Sequence, residues 1–283
     1  MSNPRIEVTP KESARFRRLY DGGRSILQIA EAHGRSMDTV HRWLMKTGGT
    51  RTSEAGRVLA LEEGRALNPP HSRKFSLSER AFETLTPETA WCLGLLYGDG
   101  NVRPTGRIML ACGPDKDIGE KFSAILESNR PVYLHGSTEK CWIVEVFSQL
   151  MVRQLSRHGI YPAKTYTIKF PSLPMDLLPH FVRGLWESDG CSSVSRERLC
   201  MNYTSASECF VNTLAVVIGM LTGVCANIGT RPPRAGRSFD NGRTAYVVDY
   251  HGGPGERVAA WMYNPSTPAT RCDRKWRIVE AFL

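Results

Sequence analysis

Apolar residues crowd into one unbroken run at residues 91–100, WCLGLLYGDG, and the pattern returns about 90 residues later at 181–190, FVRGLWESDG. Each run sets small residues four apart, Gly94 with Gly98 and Gly184 with Ser188, which places them on one face of a helix. A face without large side chains lets two helix backbones approach closely. Each run closes on Asp-Gly, with the glycine placed as a helix stop. An aspartate there sits at the negative end of the helix dipole and costs ~0.3–1 kcal/mol. Two such helices packed together bring two carboxylates, Asp99 and Asp189, to one place. A bound divalent cation would turn that cost into a gain.

The pattern around the two runs predicts a repeated unit beginning at Thr86. In the first copy Pro87 opens the helix that ends at Asp99. A strand is expected at 107–112, a helix at 115–128, a hairpin at 132–136 and 142–147, and a helix at 149–158. A connector, GIYPAKTYTIKFPSLP, leads to the second copy. There the reading is a helix at 179–188, a strand at 198–203, a helix at 208–221, a hairpin at 225–229 and 245–250, and a helix at 256–263. WIVEVF and YVVDYH match position by position, with Glu145 opposite Asp249. Two similar halves in one chain imply pseudo-two-fold symmetry about the two motif helices.

The N-terminal pattern differs. Residues 11–20 predict a first helix. Ile26, Ile29 and Ala30 give a second helix its apolar face, Gly34 makes a tight turn, and Ser36 caps a third helix with Val40, Trp43 and Leu44 inside. This spacing resembles the DNA-binding helix-turn-helix. The resemblance places Met37, Asp38, His41 and Arg42 on base edges, with Ser36, Thr39 and Lys46 toward phosphates. A helical patch at 58–66 and the Pro-Pro pair at 69–70 then mark a basic linker, in which Arg51, Arg57, Arg73 and Lys74 are candidate phosphate contacts. The domain reading is 1–50, a 51–80 linker, and repeats at 81–172 and 173–283.

Charge sharpens this picture. The chain has 283 residues with a net charge of +9, 41% hydrophobic and 23% charged residues. That balance favours a polyanionic partner, nucleic acid before an acidic membrane. The N-terminal residues contain no apolar secretion signal, and no run is long enough to span a membrane, so a cytoplasmic protein is expected. The eight cysteines form no CxxC pair and no zinc spacing, and they read as buried thiols.

The motifs CLGLLYGDG and VRGLWESDG, with the connector GIYPAKTYTIKFP and the terminal RCDRKWRIVEAFL, resemble the LAGLIDADG homing endonucleases in their single-chain, two-repeat form. The resemblance covers roughly residues 80–283. It implies an α+β fold of two αββαββα repeats whose strands form a DNA-binding saddle, preceded by the small all-α domain. It further implies a monomer acting on double-stranded DNA at a long asymmetric site. Asp99 and Asp189 match the family's catalytic acids. They would hold Mg²⁺ (or Mn²⁺) with the carbonyls of Gly98 and Ser188, and the reaction would be metal-assisted hydrolysis of one phosphodiester per strand.

The chain departs from the family pattern at three places. The acid two residues before the catalytic one is Tyr97 in the first motif and Glu187 in the second. The basic residue expected after the second strand is Lys116 in the first half, while the second half offers only hydroxyls near 204–207, leaving Arg196, Arg198 or Lys164 as substitutes. The segment 231–243, with Arg234, Arg237 and Arg243, reads as a DNA-tracking extension, and Arg107, Arg196 and Arg198 as strand-face contacts. Two other classes remain open at this stage. One is a non-cleaving regulator joining a helix-turn-helix to a degenerate LAGLIDADG scaffold, and the other is an RNA-binding intron maturase. A bacterial or phage-encoded setting suits the helix-turn-helix.

Overall fold

The computed structural model describes residues 8–64, 74–135, 141–162, 164–232 and 244–283. The chain divides into two compact units, residues 1–74 and 75–283.

The described residues of the first unit form helices and turns only: α1 (Pro10–Asp21), α2 (Ile26–His33), α3 (Met37–Lys46) and α4 (Ser53–Glu62). Its starts are set by local caps. Thr9 accepts from the Glu12 amide ahead of α1, Ser25 forms a capping box with Gln28 at α2, and Ser36 accepts from the Thr39 amide at α3. Such a cap satisfies an amide that the helix leaves unpaired. Gly34 takes φ 59° between α2 and α3, a left-handed turn that costs glycine little. Phe16, Tyr20, Ile29, Ala30, Val40 and Leu44 form the core, with Ile26 and Trp43 partly buried against it. Helix α4 starts five residues before the expected patch, because Thr52 Oγ1 accepts from the Ala55 amide at 3.1 Å and caps it.

The second unit contains the same order twice. In the first repeat α5 (Pro87–Gly98), β1 (Gly100–Val102), β2 (Arg107–Ala111), α6 (Lys116–Ile125), β3 (Tyr133–Leu134), β4 (Trp142–Phe147) and α7 (Gln149–Arg157) follow one another. The second repeat runs α8 (Leu178–Asp189), β5 (Cys191–Ser195), β6 (Arg198–Ser205), α9 (Glu208–Thr222), β7 (Asn227–Arg231), β8 (Ala245–His251) and α10 (Gly253–Tyr263), and α11 (Asp273–Val279) closes the chain. Each repeat is αββαββα. Each has one antiparallel four-stranded sheet, ordered β1-β2-β4-β3 and β5-β6-β8-β7. Met109 pairs with Glu145 and Asn202 with Asp249, so the register reproduces the match seen between WIVEVF and YVVDYH.

The residue pattern does not mark strands β1 and β5, since Gly-Asn-Val and Cys-Ser-Ser-Val-Ser carry little apolar signal, although the resemblance implies a strand after each motif helix. They form as the first arms of hairpins against β2 and β6. Strand β7 lies two residues beyond the predicted 225–229. Among the described residues no helix is long and apolar enough to cross a membrane.

The two repeats meet along α5 and α8. A Cβ added at Gly94 would lie 2.1 Å from the Phe181 carbonyl oxygen, and one at Gly184 would lie 2.1 Å from that of Trp91. Gly94 matches Gly184 and Trp91 matches Phe181, so the contact is reciprocal, as a two-fold axis between the helices requires. Leu93, Leu95, Leu96, Val182, Leu185 and Trp186 fill the surrounding core, all at most 1% exposed.

Candidate active site

The helix pair delivers its C-termini to one point. A Cβ placed at Gly98 would fall 2.1 Å from Ser188 Oγ and 3.0 Å from Asp189 Oδ2. The absence of a side chain at Gly98 therefore lets the second aspartate lie directly against the first motif. Asp99 caps α5, its amide donating to the Leu95 carbonyl at 3.1 Å, and Asp189 ends α8. Both aspartates present surface to solvent on one side and dense protein on the others.

Electrostatics follow from that placement. Burial and the neighbouring Asp99 charge push Asp189 up to about 6, against the pull of Lys164 and Lys275. Burial also raises Asp99, opposed by Lys275 and Lys164. Neither carboxylate accepts a hydrogen bond among the described residues. Two crowded carboxylates with free lone pairs and an open side fit a hard divalent cation, which takes oxygen ligands and keeps several waters.

Two buried lysines complete the site, one from each repeat boundary. Lys164, in the helical turn Lys164–Tyr166 of the connector, donates to the Gly100 carbonyl at 2.9 Å. Lys275, on α11, donates to the carbonyls of Trp186 at 2.9 Å, Gly190 at 2.7 Å and Ser188 at 3.4 Å. Gly100 and Gly190 are the matching glycines of the two motifs, so the lysines take equivalent places beside the acids, and Lys275, on the Trp186 and Ser188 carbonyls, also neutralises the negative end of α8. Burial lowers both lysines. Asp189 and Asp99 pull Lys164 back up.

The motif pattern marks Lys164 only as a substitute for the basic residue of the second half and does not mark Lys275. The available signal was their shared position, each following its own repeat in a segment that runs back to the motif helix. Lys116 lies elsewhere: it pairs with Glu120 at 2.7 Å and sits over the Trp142 ring. It is not among the charges that shift either aspartate. The same holds for Arg196, in a two-residue hairpin turn with Glu197 (φ 50° and 59°), and for the exposed Arg198.

Glu187 is 2% exposed and turned into the helix interface, where it accepts from Trp91 Nε1. Burial raises it, and Arg183 opposes that rise. Its partners are those of a packing residue. A cleft of about 90 Å³ beside Asp99 is lined by Cys112, Asp115, Ser188 and Arg274, among others. Next to it Asp115, Asp117 and Cys272 form a cluster of metal-ligand types. The acids there already have partners. Arg274 grips Asp115 through two 2.7 Å bonds, and Asp117 accepts from Lys121 and the Asp273 amide.

No family model and no curated protein matches the chain. Among solved structures it is similar to the N-terminal LAGLIDADG domain of DUF199/WhiA, at 12% identity and TM-score 0.42, over 67% of this chain and 90% of that one. Full-length DUF199/WhiA from Thermatoga maritima gives 11% identity and TM-score 0.43, over 72% and 63%. The homing endonuclease I-WcaI bound to its DNA recognition sequence gives 10% and 0.45, over 71% and 91%. Likeness this distant transfers no role, so the functional reading rests on the residues.

In the first unit the candidate readers Met37, Asp38, His41 and Arg42, and the phosphate candidate Lys46, all lie on the exposed side of α3, where Asp38, His41, Arg42 and Lys46 line one shallow groove. Ser36 is exposed, but its hydroxyl is occupied as the α3 cap. Lys46 rests on the Trp43 ring, 4.8 Å from its centroid. Arg51 is spent on Tyr20, stacking at 3.9 Å and donating to the Tyr20 carbonyl. In the second unit Arg107 is held by Glu145. Arg73, Arg234, Arg237 and Arg243 lie outside the described residues.

Proposed function

We propose that this protein is a site-specific, metal-dependent DNA endonuclease. The observation that carries the reading is the meeting of Asp99 and Asp189 at the ends of two reciprocal helices, each motif glycine held by its own buried lysine. An open-sided carboxylate pair with no internal hydrogen bond is strained for charge, and it suits a cation beside a phosphate.

In this reading Asp99 and Asp189, with the carbonyls of Gly98 and Ser188, hold Mg²⁺ or Mn²⁺. The cation supplies Lewis-acid charge and lowers the pKa of water. Lys164 and Lys275 hold positive charge beside the scissile phosphates, where charge develops as each bond breaks. The two sheets face the duplex, the basic balance supports phosphate contact, and the exposed face of α3 adds contacts at one flank. A buried Glu187 takes no part in the chemistry.

The test is cleavage of duplex DNA carrying the uninterrupted locus from which the coding region derives, with and without Mg²⁺. Wild-type protein is expected to make one double-strand cut, and Asp99→Asn and Asp189→Asn none. Undiminished cutting by both variants would remove this active site. A second reading, a DNA-binding regulator that does not cut, is favoured by the Lys275 ammonium, which already faces the Ser188 carbonyl at 3.4 Å. It predicts specific binding without cleavage by wild-type protein in Mg²⁺ or Mn²⁺.

A further inference from the structure

The two sheets share a topology but not a surface chemistry. In the first repeat Ile108, Leu110, Val144 and Val146 turn into the core, which leaves Arg107, Met109 and Ala111 of β2, and Ile143, Glu145 and Phe147 of β4, on the opposite face. Asn101 of the edge strand β1 adds one exposed amide opposite Met109; the rest of that face is largely apolar, with Ile143 itself only 3% exposed, and its charges are already consumed. Glu145 is 7% exposed and accepts from both Arg107 and Arg130, the latter at 2.5 Å. The Arg130 guanidinium is further held over the rings of Phe75 and Phe147.

The second sheet buries Leu199, Met201, Tyr203, Val248 and Tyr250 in the same way. On its other face, Asn202 of β6 lies opposite Asp249 of β8, which lies opposite Asn227 of β7. Asp249 occupies the position that Glu145 holds in the first sheet. Among the described residues it has no arginine, and none of the three side chains makes an internal hydrogen bond or ion pair. Their donors and acceptors are therefore available. An amide, a carboxylate and an amide in one cross-strand row match the chemistry that reads major-groove edges. Asn pairs with adenine N6 and N7, Asp accepts from cytosine N4, and apolar side chains contact only thymine methyls.

We infer that base-specific readout is concentrated in the second repeat, through Asn202, Asp249 and Asn227, while the first repeat docks its half-site by shape and methyl contact and tolerates sequence change. This inference rests on the DNA reading above. The physical basis is that a polar group already paired inside the protein has nothing left to offer a base, whereas an unpaired one loses its hydrogen bonds to water if the wrong base is presented.

The experiment is selection of bound duplexes from a randomised pool by the full chain in EDTA, followed by sequencing. Wild-type protein is expected to show strong preferences over one half of the site and shallow ones over the other. Asn202→Ala and Asp249→Ala should flatten a short block in the strong half, by roughly tenfold in relative affinity per position read. Met109→Ala and Phe147→Ala, the latter at a side chain 48% exposed, should change overall affinity and leave the preference profile intact. Equal preferences in both halves, or a profile unaltered by Asn202→Ala and Asp249→Ala, would overturn the assignment while leaving DNA binding in place. Enrichment of no duplex at all by wild-type protein would overturn the DNA reading and this inference together.

Discussion

Trp91 Nε1 donates a 2.7 Å hydrogen bond to Glu187 Oε2, from one motif helix to the other. The two-fold-related positions are Phe181 and Tyr97, and there the contact is a ring edge against a ring face, centroids 5.0 Å apart. The same two helix positions thus meet twice, once through a hydrogen bond and once through aromatic packing. Arg183, one turn before Glu187 and fully buried, supplies the counter-charge while donating to the carbonyls of Thr270 and Met262.

Trp91→Phe keeps the aromatic packing and removes the donor, leaving a buried carboxyl short of one partner. The expected loss is about 1–3 kcal/mol of stability. Urea unfolding of the second unit measures it, and a midpoint equal to wild type would show that Glu187 does not depend on Trp91.

Gly94→Ala tests the helix crossing. The new Cβ would meet the Phe181 carbonyl at 2.1 Å, a backbone atom that cannot swing aside. The helices must separate, at a cost of about 3 kcal/mol or more, and cleavage should fall with the fold. Gly229→Ala meets nothing within 4 Å and should leave stability near wild type. If Gly94→Ala folded and cut normally, α5 and α8 would not pack as described.

The acid pair links pH to stability and to metal. Asp189 has its folded pKa raised from 3.8 to about 6, so between those values the folded state binds more protons than the unfolded one. Metal-free protein should therefore lose stability as pH rises from about 4 through about 6. Mg²⁺ should restore it, with an affinity that rises over the same interval as the proton leaves. Thermal melts against pH, with and without Mg²⁺, give the sign, and Asp189→Asn should reduce both effects. A metal-free stability that rises over this interval by an amount Asp189→Asn removes would contradict the site electrostatics.

Lys164→Met and Lys275→Met remove the charges that hold the two motif glycines. Each is expected to slow cleavage by at least tenfold while Mg²⁺-induced stabilisation persists, because neither lysine is a ligand. Lys275→Met also leaves buried carbonyls of Trp186 and Gly190 without their donor and should lower the melting temperature. Single-turnover cleavage on matched DNA separates the two effects. Full-rate cutting by both variants would confine the lysines to a structural role.

Arg42→Ala should weaken binding at one flank of the footprint and leave the cut position unchanged, while wild-type affinity should fall steeply with salt. Footprinting at two salt concentrations reads both. An unaltered flank would remove α3 from the interface.

Much of this protein was legible as sequence because its main signals are local and repeated. A ten-residue apolar run with small residues four apart and a terminal Asp-Gly specifies a helix, a close-packing face and an acid at its end. Two copies specify a pair. The cap at Ser36 and the turn at Gly34 work within a few residues of their own helices, and so they read directly. Strands β1 and β5 did not, because they form only when a neighbouring strand supplies the hydrogen bonds.

Tertiary structure decided what distant segments bring to the aspartates. Lys164 and Lys275 lie 65 and 86 residues beyond the motif acids they serve, and only folding shows that each reaches back to its motif glycine. Lys116 fitted the expected spacing but sits beside Glu120, one helical turn away and on the same face. Glu187 stands only two residues before Asp189, yet the helix rotation that aims Asp189 outward turns Glu187 onto Trp91. Residue type and spacing determine which groups exist and on which helix face. Which of them share a solvent-open site depends on contacts made across the whole chain.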